Sequence, residues 1–168
     1  LEFRRVLFRS GGKKGAYDFK KQVEDTAGIG ISTGSISTAA ALKAYGNVKR
    51  ISFFSPYYER ANAEVAKYFT DEGFEIVRDI PLQAKSWTDI ATITPDVCRA
   101  TIMKLDGPDV DAIVQVGTNL SMVRMAAAAE AFLNKPVVAI NTATYWHALR
   151  ANGIQDKVYG LGRLLEEF

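Results

Sequence analysis

Short apolar runs alternate with segments of helical periodicity along most of this chain. Runs of this length are typical of strands that are buried on both faces of a sheet. They cover residues 28–33, 48–55, 74–80, 111–116 and 136–140. Because a helical pattern separates each run from the next, the sequence predicts an α/β fold with a parallel sheet covered by helices.

The helical segments carry recognisable boundary signals. Helices are predicted over 17–26, 36–45, from Pro56 to a stop at Gly73, 96–105, from about 121, and from the turn Asn141-Thr142 to near Gly153. Thr94 is an expected N-cap with Pro95 in the first turn, whereas residues 84–93 read as a loop or a short helix.

Small polar residues follow four of the predicted strands. They lie at 33–35 with Ser37 and Thr38, at 55–57, at 117–119 and at 141–142. Each group alone reads as an ordinary N-cap. Four groups on one edge of a parallel sheet favour a convergent polar rim, and free N–H groups with the helix dipole favour an anion there. Tyr57, which follows a proline, could direct its hydroxyl toward a carboxylate or enediolate oxygen.

Composition fits a soluble globular protein, with 48% hydrophobic and 24% charged residues. The first ten residues, LEFRRVLFRS, match one reading frame of a common sequencing adapter, and we interpret 1–10 as non-native sequence. They hold three arginines and one glutamate, so the net charge of +2 becomes zero without them. Charge therefore gives no reason to expect nucleic acid or a membrane as partner, and no apolar run has the length of a membrane span.

Several kinds of active site lack their sequence signatures. There is no phosphate-binding loop, no complete G-x-G-x-x-G after a strand and no G-x-S-x-G. One histidine and one cysteine, far apart, cannot form a zinc site. Cys98 shares a helix face with Ile102 and Leu105, which indicates a buried structural thiol, and His147 reads as a surface or helix-packing residue. A single cysteine suits a reducing cytoplasm.

Five segments resemble the aspartate/glutamate racemase superfamily, and within it the maleate cis-trans isomerase and arylmalonate decarboxylase branch. The segments are TGSISTAAALKAYG (33–46), SPYYERANAEV (55–65), VGTNL (116–120), KPVVAINTATYWHALRANGI (135–154) and GLGRLLEEF (160–168). The resemblance covers nearly all of residues 11–168.

The resemblance implies two flavodoxin-like α/β domains around a cleft, with the first domain largely missing here. Residues 11–28 would be a remnant of that domain, 29–140 the second domain, and 141–168 a segment packing back toward the first. Family members work without a metal or organic cofactor and use cysteines that face a small carboxylate. The second-domain cysteine position is Gly117 here, the first-domain one would lie upstream of Gly11, and Cys98 matches neither.

The resemblance also assigns binding residues. Tyr57 corresponds to a tyrosine that holds a substrate carboxylate, Thr118 and Asn119 to backbone donors, and Asn141 to a polar position at the cleft. The implied partner is a small carboxylate or dicarboxylate, in a cytoplasmic protein for which homo-oligomers are an option. No catalytic residue is visible in the chain.

Two functions from different classes compete. The leading hypothesis is a cofactor-independent isomerase, racemase or decarboxylase of small carboxylates, of which this chain is a truncated form without the thiol. The alternative is a non-catalytic carboxylate-binding protein on the same scaffold. A nucleotide-binding domain would require a phosphate loop that the predicted strand ends lack.

Overall fold

The computed structural model describes residues 11–168, so the leading decapeptide and its interpretation lie outside the described part. Four strands form one parallel sheet in the order β2-β1-β3-β4. The strands are β1 (Arg50–Ser55), β2 (Glu75–Pro81), β3 (Ala112–Gln115) and β4 (Val137–Ala139). The predicted parallel α/β architecture is confirmed.

Helices connect the strands and cover both faces of the sheet. They are α1 (Gly12–Ala27), α2 (Gly34–Ala44), α3 (Glu59–Asp71), α4 (Trp87–Ala91), α5 (Pro95–Leu105), α6 (Val123–Leu133), α7 (Ile140–Ala151) and α8 (Arg163–Glu167). One apolar cluster joins α1, α2, α3, α7 and α8 to the sheet. A second cluster joins α4, α5 and α6 to the opposite face.

Strand β1 shows why the sheet forms. Its adjacent residues Phe53 and Phe54 are both fully buried. They belong to different apolar clusters because successive side chains of a strand point to opposite faces of the sheet. A strand buried on both faces therefore needs a continuous apolar run rather than an alternating one. Cys98 is also buried, beside Ile102 and Leu105, which confirms its structural position.

The predicted strand at 28–33 is wrong. The segment lies directly before α2 but pairs with no strand in the described structure. Its polar groups bind side chains instead of a neighbouring backbone. The Ile31 N–H donates to Glu24 Oε1 at 3.0 Å, and Ser32 Oγ lies 2.7 Å from His147 Nδ1. Side chains from α1 and α7 thus satisfy a segment that would otherwise need a partner strand.

Helix boundaries differ from the prediction at two strand ends. Asn141 and Thr142 are not a turn, since α7 already begins at Ile140 directly after β4. Conversely, α3 begins at Glu59 rather than at Pro56, so Pro56 and Tyr57 remain in the connecting turn. The predicted cap at Thr94 is confirmed, because its side chain accepts a hydrogen bond from the N–H of Val97.

Both ends of the described chain pack on the sheet-bearing body. The N–H of Lys13 in α1 donates to Asp71 of α3. At the other end, Trp146 Nε1 and Arg150 Nε donate to the Phe168 carbonyl at 3.1 and 2.9 Å. The assignment of 11–28 to a first domain, of 29–140 to a second domain and of 141–168 to a segment packing toward the first stays a prediction. No helix within residues 11–168 is both long and apolar enough to span a membrane.

Candidate functional site

The turn after β3 sits at the centre of the candidate site. Gly117 has φ +106°, a left-handed conformation that favours glycine. A Cβ atom at this position would lie 2.5 Å from Pro56 Cδ and 3.8 Å from the Tyr57 hydroxyl oxygen. The turn after β1 therefore packs directly on the turn after β3, and it leaves no room for a side chain at residue 117.

Side-chain amides hold the carbonyl groups of the 117–119 turn. Gln115 Nε2 donates to the Gly117 carbonyl at 2.7 Å, and Asn141 Nδ2 donates to the Thr118 carbonyl at 2.9 Å. Within the described residues, the backbone N–H groups of Thr118 and Asn119 make no hydrogen bond. The turn thus has the carbonyls of Gly117 and Thr118 occupied and two of its N–H donors available, an arrangement suited to an anion.

Tyr57 forms a second donor beside this turn. Its side chain is half-buried, and burial raises the pKa of the hydroxyl to about 12. The hydroxyl therefore keeps its proton at ordinary pH and can donate to a carboxylate oxygen. The ring lies 6.5 Å from that of Trp87, and Asn119 Nδ2 donates to the Trp87 carbonyl at 2.7 Å.

Three of the four predicted polar groups are brought together. Contacts join Tyr57 to Gly117, Asn119 to Trp87, and Asn141 to Thr118. The amides of Asn119 and Asn141 are engaged by carbonyl groups, so these side chains fix the loops. The fourth group lies at the start of α2, which packs against α7, but no side-chain hydrogen bond described for it reaches the other three groups. Its neighbour Ser32 binds His147 of α7 instead.

Two contacts at the site were not expected from the sequence. Gln115 is fully buried on β3 and holds the Gly117 carbonyl, while Pro56 closes the space above Gly117. The signal for Gln115 was its place as the polar residue in the apolar run Ala112–Val116. A buried polar side chain needs a partner, and here the partner lies in the next turn.

Neither a thiol nor a metal cluster occurs at this position. Cys98 is 1% exposed and lies in the apolar cluster under α5, where burial raises the pKa of its thiol. Among the described residues, no group of three or more His, Cys, Asp and Glu side chains could hold a metal ion. The geometry supports hydrogen bonding to an anion from Tyr57 and two backbone groups.

A separate groove of about 1020 Å³ lies between α6 and the C-terminal segment. Its polar groups are largely paired with each other: Glu130 Oε2 accepts from the Arg163 N–H, and the Arg163 guanidinium binds Glu167. We place the site at the strand ends, where three of the four predicted polar groups meet.

We expect His147, the only histidine of the chain, to titrate below its ordinary pKa of 6.5. Burial lowers its pKa, and the positive charge of Lys20 lowers it further. A pH titration of the imidazole NMR signals, which need no assignment, measures this value. Replacing Lys20 with glutamine should raise the pKa while leaving the effect of burial.

The same shift predicts how stability depends on pH. Because the folded-state pKa lies below the unfolded one, the unfolded chain binds the proton first as the pH falls. The His147 contribution to the free energy of unfolding is therefore fully present above about pH 6.5 and decreases as the pH drops below it. A pKa at or above 6.5 would contradict the described burial.

A protein family and an individual enzyme are similar to this chain in sequence. A model of the arylmalonate decarboxylase family matches residues 7–165. A maleate isomerase of Pseudomonas putida is 29% identical over 118 residues, which are 70% of this chain and 47% of that protein. The chain thus spans about half the length of this curated relative.

Solved structures of two enzymes superpose on the chain. Nocardia farcinica maleate cis-trans isomerase, as a variant with a covalently bound succinylcysteine intermediate, has a TM-score of 0.87 at 24% identity. That superposition covers 94% of this chain and 66% of the isomerase. Arylmalonate decarboxylase has a TM-score of 0.81 at 23% identity, with 94% of this chain and 70% of that enzyme covered.

Proposed function

Because the chain belongs to the arylmalonate decarboxylase family, we propose that it carries the carboxylate-binding part of a cofactor-independent isomerase or decarboxylase of small carboxylates and dicarboxylates. The supporting observation is the pair of unoccupied N–H groups at Thr118 and Asn119 beside the protonated hydroxyl of Tyr57. Isomerisation or decarboxylation next to a carboxylate places negative charge on carboxylate or enediolate oxygens. Fixed donors stabilise such charge without reorganising during the reaction.

In this proposal the chain binds and orients, and a thiol from another polypeptide segment reacts. Cys98 is buried in the apolar cluster that joins α5 to the sheet, and the Pro56 ring leaves no space for a side chain at residue 117. Tyr57 and the turn 117–119 would hold one carboxylate, so that the neighbouring carbon is presented to that thiol. Asn141 keeps the turn in place through the Thr118 carbonyl.

The test is binding of maleate and phenylmalonate to the chain, measured by isothermal titration calorimetry. Tyr57→Phe removes the donor hydroxyl and should weaken binding roughly tenfold to a hundredfold, since a hydrogen bond to a charged group contributes about 1.5–3 kcal/mol. Tyr58→Phe is the matched control, because Tyr58 is the next residue and 55% exposed. It should leave the affinity unchanged.

Two results would refute the proposal. The first is the absence of saturable binding for both dicarboxylates, and the second is equal affinity of Tyr57→Phe and the unsubstituted protein. Proton NMR of the same samples monitors conversion of maleate to fumarate and loss of carbon dioxide from phenylmalonate. Turnover by this chain alone would contradict the need for an external thiol.

A further inference from the structure

We infer that Asn62 is a positioning residue for Tyr57, acting through Ser55; the inference rests on the proposed function, since it concerns how the carboxylate donor is held. Asn62 lies on the second turn of α3 and is 1% exposed. It does not line the candidate site. Its hydrogen bonds instead connect the turn after β1 to the neighbouring strand β2.

A chain of three hydrogen bonds runs from Tyr57 to a carboxylate. The Tyr57 N–H donates to Ser55 Oγ at 3.1 Å, and the Ser55 hydroxyl donates to Asn62 Oδ1 at 2.6 Å. Asn62 Nδ2 then donates to Asp79 Oδ2 on β2. The backbone of the candidate donor residue is therefore linked to an adjacent strand through two buried side chains.

The chemistry of the groups fixes the direction of this chain. The Asp79 carboxylate only accepts hydrogen bonds, so Asn62 must present its NH₂ group to Asp79 and its carbonyl to Ser55. Ser55 has one proton, which goes to that carbonyl, and its lone pair is left for the Tyr57 N–H. Each hydrogen bond polarises the next, and the series ends on the negative charge of the Asp79 carboxylate.

Burial makes the arrangement costly to break. Ser55 is fully buried and Asn62 nearly so, which means that a lost partner would leave a polar group without solvent to replace it. The turn holding Pro56 and Tyr57 is consequently restricted to one conformation. That conformation puts the Pro56 ring against Gly117 and the Tyr57 hydroxyl beside the 117–119 turn.

Two substitutions that together move the carboxylate from residue 79 to residue 62 separate a positioning role of Asn62 from an effect on general stability. Asn62→Asp keeps the acceptor for Ser55 but places a carboxylate against Asp79. Adding Asp79→Asn restores a donor to the new carboxylate and rebuilds all three bonds, and only the bond between residues 62 and 79 then runs in the opposite direction. Ser55→Ala interrupts the chain next to Tyr57 and provides an independent break.

The spectroscopic readout is fluorine NMR of protein labelled with 3-fluorotyrosine. The Tyr57 signal is assigned by its disappearance in Tyr57→Phe, and the Tyr58 signal serves as an internal reference. Maleate affinity is measured in parallel by calorimetry. We expect Asn62→Asp and Ser55→Ala to shift the Tyr57 signal and to weaken maleate binding on the order of tenfold. The Asn62→Asp/Asp79→Asn protein should recover both properties to within about twofold.

Opposite results overturn the inference. They are an unshifted Tyr57 signal in both Ser55→Ala and Asn62→Asp, or a folded double variant whose Tyr57 signal is not restored. If the unsubstituted protein binds no maleate, the proposed function fails, and the fluorine signals alone then decide whether Asn62 positions Tyr57. If Asn62→Asp does not fold, the double variant and Ser55→Ala decide it.

Discussion

Replacing Gly117 with alanine is expected to lower the free energy of unfolding by about 3 kcal/mol, the sum of two effects. The first is conformational, because φ of +106° is strained for any residue with a Cβ atom. The second is steric, because that atom would lie 2.5 and 2.6 Å from the Pro56 ring. Proline cannot turn its ring away as a flexible side chain would, so the backbone itself must move.

Urea denaturation measures the effect, and Gly46→Ala is its control. Gly46 also has a left-handed φ, +85°, but a Cβ atom there would meet nothing within 4 Å. The Gly46→Ala variant should lose only about 1 kcal/mol of its free energy of unfolding. The difference between the two variants isolates the Pro56 contact, and adding Pro56→Ala should remove that difference. Equal losses in Gly117→Ala and Gly46→Ala would show that the two turns are not in close contact.

Replacing Glu130 with alanine is expected to lower the free energy of unfolding by about 3 kcal/mol. Glu130 is 6% exposed and accepts three hydrogen bonds, from the Tyr45 hydroxyl at 2.9 Å, the Val137 N–H at 3.2 Å and the Arg163 N–H at 2.8 Å. These donors belong to three separate parts of the fold. Alanine would leave one buried and two half-buried donors without this acceptor.

Thermal and urea denaturation compare this variant with Glu167→Ala. Glu167 pairs with the Arg163 side chain at 2.9 Å but is exposed, so its loss should change the free energy of unfolding far less than the loss of Glu130. Similar losses for both glutamates would mean that Glu130 is not the acceptor that joins these segments.

Acidity gives a second test of Glu130. Burial is the main cause that raises its pKa above the ordinary 4.5. Since the folded protein then binds a proton that the unfolded chain releases, the Glu130 contribution is most favourable below about pH 4.5 and is lost as the pH rises through the folded-state pKa. Glu130→Gln cannot titrate. The free energy of unfolding of the unsubstituted protein, minus that of Glu130→Gln, should therefore increase toward low pH. A difference that decreases toward low pH would contradict the raised pKa.

The architecture could be predicted because the sheet is buried on both faces. That burial requires continuous apolar runs, which are visible at 48–55 and 111–116 without knowledge of their partners. The error at 28–33 has a related origin. This segment has the composition of a strand, but its hydrogen-bond partners are Glu24 and His147, side chains whose positions depend on tertiary packing.

The candidate site was predictable in its members more than in their roles. Polar residues after strands indicate an edge, and three of those groups do meet. Asn141 was expected as a polar residue at the cleft and Asn119 as a backbone donor, and the side-chain amides of both hold backbone carbonyls, those of Thr118 and Trp87. The contact of Pro56 with Gly117 and the chain through Asn62 join residues on different strands, and no local pattern encodes such proximity. The binding roles of Tyr57, Thr118, Asn119 and Asn141 stay predictions.

The placement of the two tryptophans divides the intrinsic fluorescence of the protein between two reporters. Trp146 of α7 is 9% exposed and donates to the carbonyl of Phe168, so its emission follows unfolding. Trp87 is 42% exposed, with its ring near Tyr57 and its carbonyl bound by Asn119. An indole in water emits at longer wavelength than a buried one. Occupation of the strand-end site can therefore be followed at the red edge of the spectrum without any added label, while the blue edge records whether the fold is intact.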